Sequence, residues 1–431
     1  MAYGMDQRHL PTPSLDSAID WVAEHLGDLF QHESDRPLAR PDAPPSAVDQ
    51  QPIRGGQEAA DQALALTSLT GYARFRNEVL PVNRRGATRL SPYIRHGLLT
   101  LERVWQSCAD ASEQDRVSFR QELLWQEYSR HFYARMGTAT GDAMRYRLPD
   151  QAVGASDGWP EGMACVDQAV AELQETGWLT NQQRMWLASH WSVRLGWDWR
   201  RGEDLFFAQL LDGSRAANRI GWQWTAGALT GKPYGFSQWQ VKKRAPQLCR
   251  TCAWESACPI EQWPDDRDAI VRDDVDPRLR QDFDLGHTMG PTATRMVDAR
   301  EPKAVWITAE SLGDDDPAMS AHPDLPVHFM WDVPLLRRLR LSPNRARFLA
   351  ECLADLSGRR ELHVWRGDPN AQWLNEPVAT TFAPVPGWRG RAGVLDITRV
   401  HPWPWLTQPH AGPIQSFTAW RKKIRGRGSQ P

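Results

Sequence analysis

Apolar residues recur every three to four positions near the start of the chain, and this spacing predicts an amphipathic helix. Ser14 stands where an N-cap is expected. The apolar face would consist of Leu15, Ile19, Val22, Leu26 and Leu29. The periodicity then stops, because residues 35–54 hold five prolines and no apolar repeat. Such a stretch is typical of an extended linker, so residues 1–54 are predicted to form an N-terminal helix and a Pro-rich linker.

Helical spacing dominates the middle of the chain. From Gly55 to about Trp263, apolar residues lie three and four apart between Gly and Pro breaks, with almost no strand-like alternation. This pattern predicts an all-α domain over residues 55–263. Residues 264–300 are acidic and irregular, which predicts a connector.

Strand-type runs occur only in the last third. Residues 304–307, 327–331 and 362–365 are short apolar runs, and residues 342–356 follow a helical pattern between the last two. This alternation predicts a parallel α/β unit with right-handed crossovers. The predicted fold class is therefore mainly α, with the all-α domain followed by a smaller α/β domain over residues 301–431 that ends in a basic tail.

Composition narrows the classes of function. With 51 Lys+Arg against 53 Asp+Glu, the net charge of -2 excludes a uniformly basic nucleic-acid-binding surface but leaves room for a local basic groove. No apolar run approaches the roughly 18 residues of a membrane span. Six cysteines and no signal-peptide-like start favour a reducing cytoplasm. The 22 Trp against 7 Tyr exceed what packing alone usually requires.

Two local patterns suggest binding chemistry. Ser91 followed by Pro92 is expected to cap a helix, and a helix start can bind an anion such as a pyrophosphate, although most capped helices bind nothing. Glu122 and Trp125 are one helical turn apart and would project from one face. They form either a base-recognition pair or a packed indole beside a solvated carboxylate.

Between Thr176 and Trp224 the chain resembles the flavin-binding helical domain of the photolyase/cryptochrome family. The matching segments are residues 176–184, 197–204 and 212–224, and residues 88–92 and 122–125 match in the same order. The resemblance extends over residues 53–235. It implies the family's all-α FAD-binding fold.

The resemblance also implies a set of FAD contacts. They are Tyr72, Thr88 and Ser91 at the diphosphate and ribose, Asn181, Arg184 and Asp212 around the isoalloxazine, and Asn218 facing flavin N5. An Arg184–Asp212 pair would present positive charge to the reduced flavin. Ala87 replaces the usual hydroxyl residue and Ser214 a usual second aspartate, so one phosphate contact and the local charge balance differ from the family pattern.

The same resemblance assigns the photochemistry. Trp222 and Trp199 match the first two members of an electron-transfer chain, and the candidates for its third member are Tyr146, Trp197 and Trp191. Trp125 and Trp224 resemble the indoles that flank a flipped pyrimidine dimer, and Glu122 resembles the acid that hydrogen-bonds it. Residues 179–184 contain no histidine, which favours a cyclobutane dimer over a (6-4) photoproduct.

Four cysteines form a candidate metal site. Cys249, Cys252 and Cys258 have ligand-like spacing, and Cys165 could reach them in the fold. Four thiolates suit a 4Fe–4S cluster or a zinc ion, and unmetallated thiols are the third alternative. The segments around these cysteines are similar to the iron–sulfur bacterial branch of the family, although the gap from Cys252 to Cys258 is shorter than expected there.

The last third resembles the family's α/β antenna domain, which normally precedes the helical domain. The matching segments are residues 305–307, 326–331, 334–342 and 366–369. The order of the two domains is therefore expected to be permuted in this chain, and the copy is short enough to be a structural remnant. The sequence does not identify an antenna chromophore.

Together these features predict a flavoprotein that repairs cyclobutane pyrimidine dimers in DNA by light-driven electron transfer. The alternative is a cryptochrome-like blue-light receptor without repair activity. Damaged DNA is the expected partner, bound by an otherwise monomeric protein through Arg219, Lys242, Lys243 and Arg244. The basic tail from Arg421 to Arg427 is a solvated end or a further phosphate contact.

Overall fold

The computed structural model describes residues 7–30, 51–152, 158–261, 270–272 and 275–424. Helices fill its middle part, as the spacing predicts. They are α2 (Gln57–Ala65), α3 (Tyr72–Phe75), α4 (Ser91–Arg95), α5 (Leu101–Ser107), α6 (Glu113–Met136), α7 (Ala164–Thr176), α8 (Asn181–Ser189), α9 (Trp199–Gln209), α10 (Ala217–Ala226), α11 (Gln238–Arg244) and α12 (Pro246–Thr251). A π-helical turn, His190–Arg194, follows α8. Two-residue strands β2 (Tyr146–Arg147) and β3 (Val271–Arg272) pair beside this part.

The last third forms a sheet flanked by short helices. Its strands are β4 (Arg295–Met296), β5 (Ala304–Ile307), β6 (Val327–Asp332), β7 (Leu362–Gly367), β8 (Val378–Thr381) and β9 (Ile397–His401), and an N-terminal strand β1 (Arg8–Leu10) joins them. The helices are α13 (Leu285–Met289), α14 (Pro317–Ala321), α15 (Val333–Leu339), α16 (Pro343–Ser357), α17 (Trp388–Ala392) and α18 (Phe417–Arg421). The strand order is β1-β7-β6-β5-β8-β9-β4, in which the five central strands are mutually parallel and the two edge strands antiparallel. The predicted parallel α/β unit is present.

The N-terminal helix differs from its prediction in where it starts and in which side chains it buries. Helix α1 runs from Ala18 to Leu26, later than expected, and Ser17 precedes it instead of Ser14. Leu15 and Ile19 are exposed, because the buried face includes Ala18 and Trp21 instead. The segment also packs on the α/β part, since β1 pairs with β7 and α1 packs against α16. Residues 31–50, most of the predicted linker, lie outside the described residues.

The region predicted as an acidic connector contributes to the fold where it is described. Strand β4 extends the sheet, and Asp282 pairs with Arg135 of α6, with Oδ2 and Nε 3.2 Å apart. Most of its other aspartates, at positions 265, 266, 268, 273 and 274, lie outside the described residues. The same is true of Arg425 and Arg427 in the basic tail.

One apolar core extends from the helical part into the α/β part. It holds Leu123 and Tyr128 of α6 together with Val305 of β5 and Phe348 of α16. Helix α16 also orients α2. Its Glu351 accepts the Gly55 N–H at 2.7 Å, and its Asp355 accepts the N–H of Gln57, the first residue of α2, at 2.7 Å. Hence the α/β part stabilises the helices that carry the candidate site.

Candidate flavin and substrate site

A cavity of about 400 Å³ opens between α3, α4, α6, α8 and α10. Seven of the side chains singled out in the sequence line it: Tyr72, Thr88, Ser91, Glu122, Trp125, Asn181 and Trp224. Six of them come from five separate helices, Thr88 lies in the loop before α4, and the seven are spread over about 150 residues of chain. The structure therefore brings the predicted diphosphate contacts and the predicted substrate contacts to one cavity.

Helix α6 supplies the acid of the cavity. Ser112 caps this helix by accepting the Asp115 N–H, and the helix is long enough to carry Glu122 along the cavity wall. Burial raises the pKa of Glu122, and the Arg76 guanidinium, which is bonded to the Glu122 carboxylate, opposes the rise. The carboxyl group can therefore donate or accept a hydrogen bond, depending on what enters the cavity.

Trp125 lies one turn further along α6, and one of its faces is already occupied. Its ring stacks on Phe417 of α18 with centroids 4.0 Å apart and planes tilted by 10°. Trp224 faces the cavity from α10 and contacts the Tyr234 ring at 5.4 Å. The two indoles thus present a fixed apolar surface to the cavity.

The diphosphate segment differs in detail from its prediction. Ser91 is the first residue of α4 and is not its N-cap, because Leu90 precedes the helix without a side-chain cap. The Ser91 hydroxyl instead accepts a hydrogen bond from Trp178 Nε1 at 3.2 Å. Tyr72 begins α3, and its ring packs edge-on against Phe119 at 5.1 Å. Burial raises the pKa of Tyr72, so the phenol stays neutral.

The residues predicted to surround the isoalloxazine ring lie at or beside this cavity. Arg184 and Asp212 form the expected pair, with Nη2 and Oδ2 2.9 Å apart. Asp212 Oδ1 and Asn218 Nδ2 are both buried without a hydrogen-bond partner in the described part of the chain. Asn218 follows Ala217, a residue of the cavity wall. A flavin ring offers both an acceptor nitrogen and an imide N–H, so these residues fit the group that the sequence implies.

The predicted electron-transfer residues differ in burial and in their neighbours. Trp222 and Trp199 are both almost fully buried. Trp191 is buried and contacts the half-exposed Trp197, whereas Tyr146 lies in β2 under the Arg145 guanidinium.

The four predicted cysteine ligands line one small cavity between α7, α12 and the turn after it. Burial raises the pKa of Cys165, and the neighbouring thiols of Cys249, Cys252 and Cys258 raise it further. All four are free thiols. Within the described ranges, no three His, Cys, Asp or Glu side chains converge tightly enough to hold a single metal ion.

Two of the four predicted DNA contacts are engaged inside the protein. Arg219 pairs with Glu203 at 3.2 Å, and Arg244 pairs with Glu78 at 2.6 Å. Lys242 and Lys243 are exposed on α11. Of the residues described, no helix is both long and apolar enough to cross a membrane.

Sequence reasoning missed Arg76 and Phe417, which contact Glu122 and Trp125 from outside the recognised motifs. Arg76 stands four residues after Tyr72, and this spacing within a short helical segment is the one signal that could have identified it. Phe417 is about 290 residues from Trp125, so no local pattern links the two.

Comparison with known proteins identifies the same region. The family model of the FAD binding domain of DNA photolyase matches residues 119–245. The chain is similar to a deoxyribodipyrimidine photo-lyase of Thermus thermophilus, with 32% identity over 222 residues, 46% of this chain and 53% of that protein. It is 35% identical to the Synechococcus protein of the same name over 156 residues, which are 33% of this chain and 32% of that protein. It is 37% identical to the Escherichia coli protein of the same name over 122 residues, which are 26% of each chain.

The matched part thus spans between a quarter and about half of the length of these curated relatives. Among solved structures, a class III photolyase from Agrobacterium tumefaciens matches with TM-score 0.37 and 23% identity, over 45% of each chain. A cryptochrome from Synechocystis matches with TM-score 0.36 and 22% identity, over 47% of this chain and 48% of that one.

Proposed function

Since the chain belongs to the photolyase/cryptochrome family, we propose that it is a light-driven flavoprotein that splits cyclobutane pyrimidine dimers in DNA. The observation that carries this proposal is the shared cavity, which Glu122, Trp125 and Trp224 line together with four of the predicted FAD contacts. A receptor that only senses light needs the flavin contacts but has no use for an acid and two indoles in the same cavity.

The residues of the chain have distinct parts in this reaction. When bound, reduced FAD would supply one electron to the dimer under light and take it back after the ring has split. Trp125 and Trp224 bind the flipped dimer by stacking, which offsets part of the unstacking energy. Glu122 in its protonated form donates a hydrogen bond to a dimer carbonyl and stabilises the negative charge that develops there. The Asp212 carboxylate holds the Arg184 guanidinium, whose positive charge would favour the reduced flavin when it is bound.

The test is repair of a dimer-containing oligonucleotide in light and in darkness, with the flavin reduced chemically beforehand. Glu122→Gln should lower the repair yield while keeping the flavin absorbance, because it removes the acid and keeps the shape. Glu113→Gln, an exposed residue at the start of the same helix, is the matched control and should repair like the unchanged protein. Repair that is absent or independent of light, with normal flavin content, would contradict the proposal.

A blue-light receptor without repair activity is the second candidate. The internal ion pairs of Arg219 and Arg244 favour it, because they leave fewer cations free to bind phosphates. DNA binding would then rest on Lys242 and Lys243. Replacing both by Glu should weaken binding at low salt, whereas Lys303→Glu, an exposed change next to β5, should not. Equal affinities for all three proteins would argue for the receptor.

We propose further that Cys165, Cys249, Cys252 and Cys258 hold a 4Fe–4S cluster. Four thiols around one cavity supply the ligands, and a cluster separates its four thiolates further than one ion does. A zinc ion, which binds sulfur at about 2.3 Å, is the alternative for the same four thiols, and the metal content decides between the two. Protein purified without oxygen should contain iron and sulfide, and Cys249→Ser should lose both. Cys108→Ser, at a buried cysteine outside the cavity, should retain them. Zinc in place of iron would contradict the assignment.

A further inference from the structure

We propose that a cavity beside the arginine loop, residues 84–89, binds a nucleoside diphosphate. The cavity has a volume of about 920 Å³. Its walls come mainly from residues 51–54, from helix α2 with the turn after it, and from the arginine loop. This site is additional to the cavity of about 400 Å³ described above, so the inference does not depend on the function proposed for that cavity.

The two cavities are distinct. Of the residues described, Thr88 alone lines both, so it marks the place where they meet. Tyr72 and Ser91, the other predicted FAD diphosphate contacts, line the flavin and substrate cavity and not this one. An FAD diphosphate bound as the resemblance implies would therefore lie in the flavin and substrate cavity, which leaves the larger cavity free for a second ligand.

The charge of the cavity wall favours an anion. Four arginines and no carboxylate line it within the described residues. Arg54 and Arg85 are each paired with an acid outside the wall. Arg84 and Arg89 form no ion pair in the described part of the chain, so their charges are available to a ligand. A guanidinium binds two phosphate oxygens at once, and a concave site lined by one sign of charge concentrates the opposite ion.

Arg89 is held in place before a ligand arrives. Its backbone is left-handed, with φ of 58°, which is uncommon for a residue with a side chain. Its guanidinium lies over the Trp178 ring at 5.6 Å and donates from Nη2 to the Gln51 carbonyl at 3.0 Å. Nε is buried without a hydrogen-bond partner among the described residues, and burial lowers the pKa of the group. A partly buried cation without a counter-ion is costly, so an anion in the cavity would stabilise it.

The remaining wall suits an organic ring. Helix α2 supplies Ala59 and Ala63, and Leu66 follows the helix with 76% of its side chain exposed. Gln62 and Asn83 line the same cavity and can hydrogen-bond the polar edge of a base. Small-molecule sites have volumes of about 300–1,000 Å³, so the cavity is large for an inorganic ion and suited to a nucleotide. A nucleoside diphosphate supplies both a ring for the apolar surface and phosphates for the arginines.

The experiment is calorimetric titration of the flavin-loaded protein with ADP and, separately, with pyrophosphate and with adenosine. One ADP should bind per chain, more tightly than either of its parts. Arg84→Gln should weaken the binding of ADP and of pyrophosphate about tenfold or more, because it removes a charge-assisted hydrogen bond. Leu66→Ser should weaken ADP binding and leave pyrophosphate binding unchanged. Arg201→Gln, at an exposed arginine of α9, is the matched control and should bind like the unchanged protein. Arg89→Gln should act like Arg84→Gln, and the exposed Arg84 decides the matter if the Arg89 variant fails to fold.

Four outcomes would overturn the inference. The first is no ADP binding by protein that retains its flavin absorbance. The second is equal affinity of the Arg84→Gln and Arg201→Gln proteins for ADP. The third is release of flavin as ADP binds, which would place ADP in the flavin and substrate cavity. The fourth is displacement of ADP by an undamaged oligonucleotide whose own binding is weakened by Arg84→Gln, which would make the cavity part of a DNA-binding surface. None of these measurements uses light, so failure of the repair assay would reject the proposed function and leave this inference to the titrations.

Discussion

The stacked pair of Phe417 and Trp125 predicts that helix α18 positions the substrate-binding indole. We consider Phe417→Leu, which keeps most of the buried volume and removes the ring. An aromatic pair contributes about 0.5–1.5 kcal/mol beyond area burial. A double-mutant cycle of Phe417→Leu and Trp125→Leu, measured by urea unfolding, should therefore give a coupling free energy of about 1 kcal/mol.

The same change should weaken binding of dimer DNA. In the unchanged protein one Trp125 face is held by Phe417, so the ring is already ordered when substrate arrives. A freed side chain must be immobilised on binding, at roughly 0.5–1.5 kcal/mol, which corresponds to about a two- to twelvefold loss of affinity. The assay is equilibrium binding of a dimer oligonucleotide at fixed salt. Phe283→Leu, at a phenylalanine that is 76% exposed, is the control. A coupling free energy of zero, or unchanged affinity with normal coupling, would refute the reasoning.

Three further predictions follow from individual contacts. Arg76→Ala removes the guanidinium that lowers the pKa of Glu122, so this pKa should rise further. The pH at which the repair yield falls should then move to a higher value. If that pH does not change, Glu122 does not control the pH dependence of repair. Arg85→Met should destabilise the protein by about 3–5 kcal/mol in urea unfolding, because Glu172 would stay buried without its partner, and adding Glu172→Leu should recover much of that loss. Gly202→Ala should destabilise the protein by about 1–3 kcal/mol despite its better helix propensity, because a Cβ there collides with the Trp222 indole. Higher stability would contradict the observed packing.

The residues best predicted from the sequence are those on contiguous helices. Glu122 and Trp125 share a cavity because their one-turn spacing on α6 fixes their relative direction. The Arg184–Asp212 pair follows from the chemistry of the two groups together with the resemblance. In both cases the information is local or carried by a recognisable motif. The roles of these residues in binding flavin and DNA stay predictions until they are measured.

The features that sequence patterns miss depend on contacts between distant parts of the chain. Strand β1 has three residues, too few for a periodic signal, and forms only by pairing with β7 about 355 residues later. That pairing fixes the rotation of α1 against α16, which is why Ala18 and Trp21 are buried where the spacing favoured Leu15 and Ile19. A helical pattern with apolar residues on more than one face cannot reveal its own rotation.

The excess of tryptophan has a structural distribution that composition alone could not give. One group is buried in the helical part, where Trp159 contacts Trp191 and Trp222. A second packs against the sheet, where Trp306 of β5 stacks on Trp388 of the short helix α17 at 6.2 Å. Wide rings can cover a sheet that has few helices, because each buries about 150–250 Å². The second group is thus explained by packing. In the first group, Nε1 of Trp159 donates a hydrogen bond to Gln209 Oε1 and Nε1 of Trp191 donates one to the Asp198 carbonyl, and a phenyl ring at either position would lose that bond.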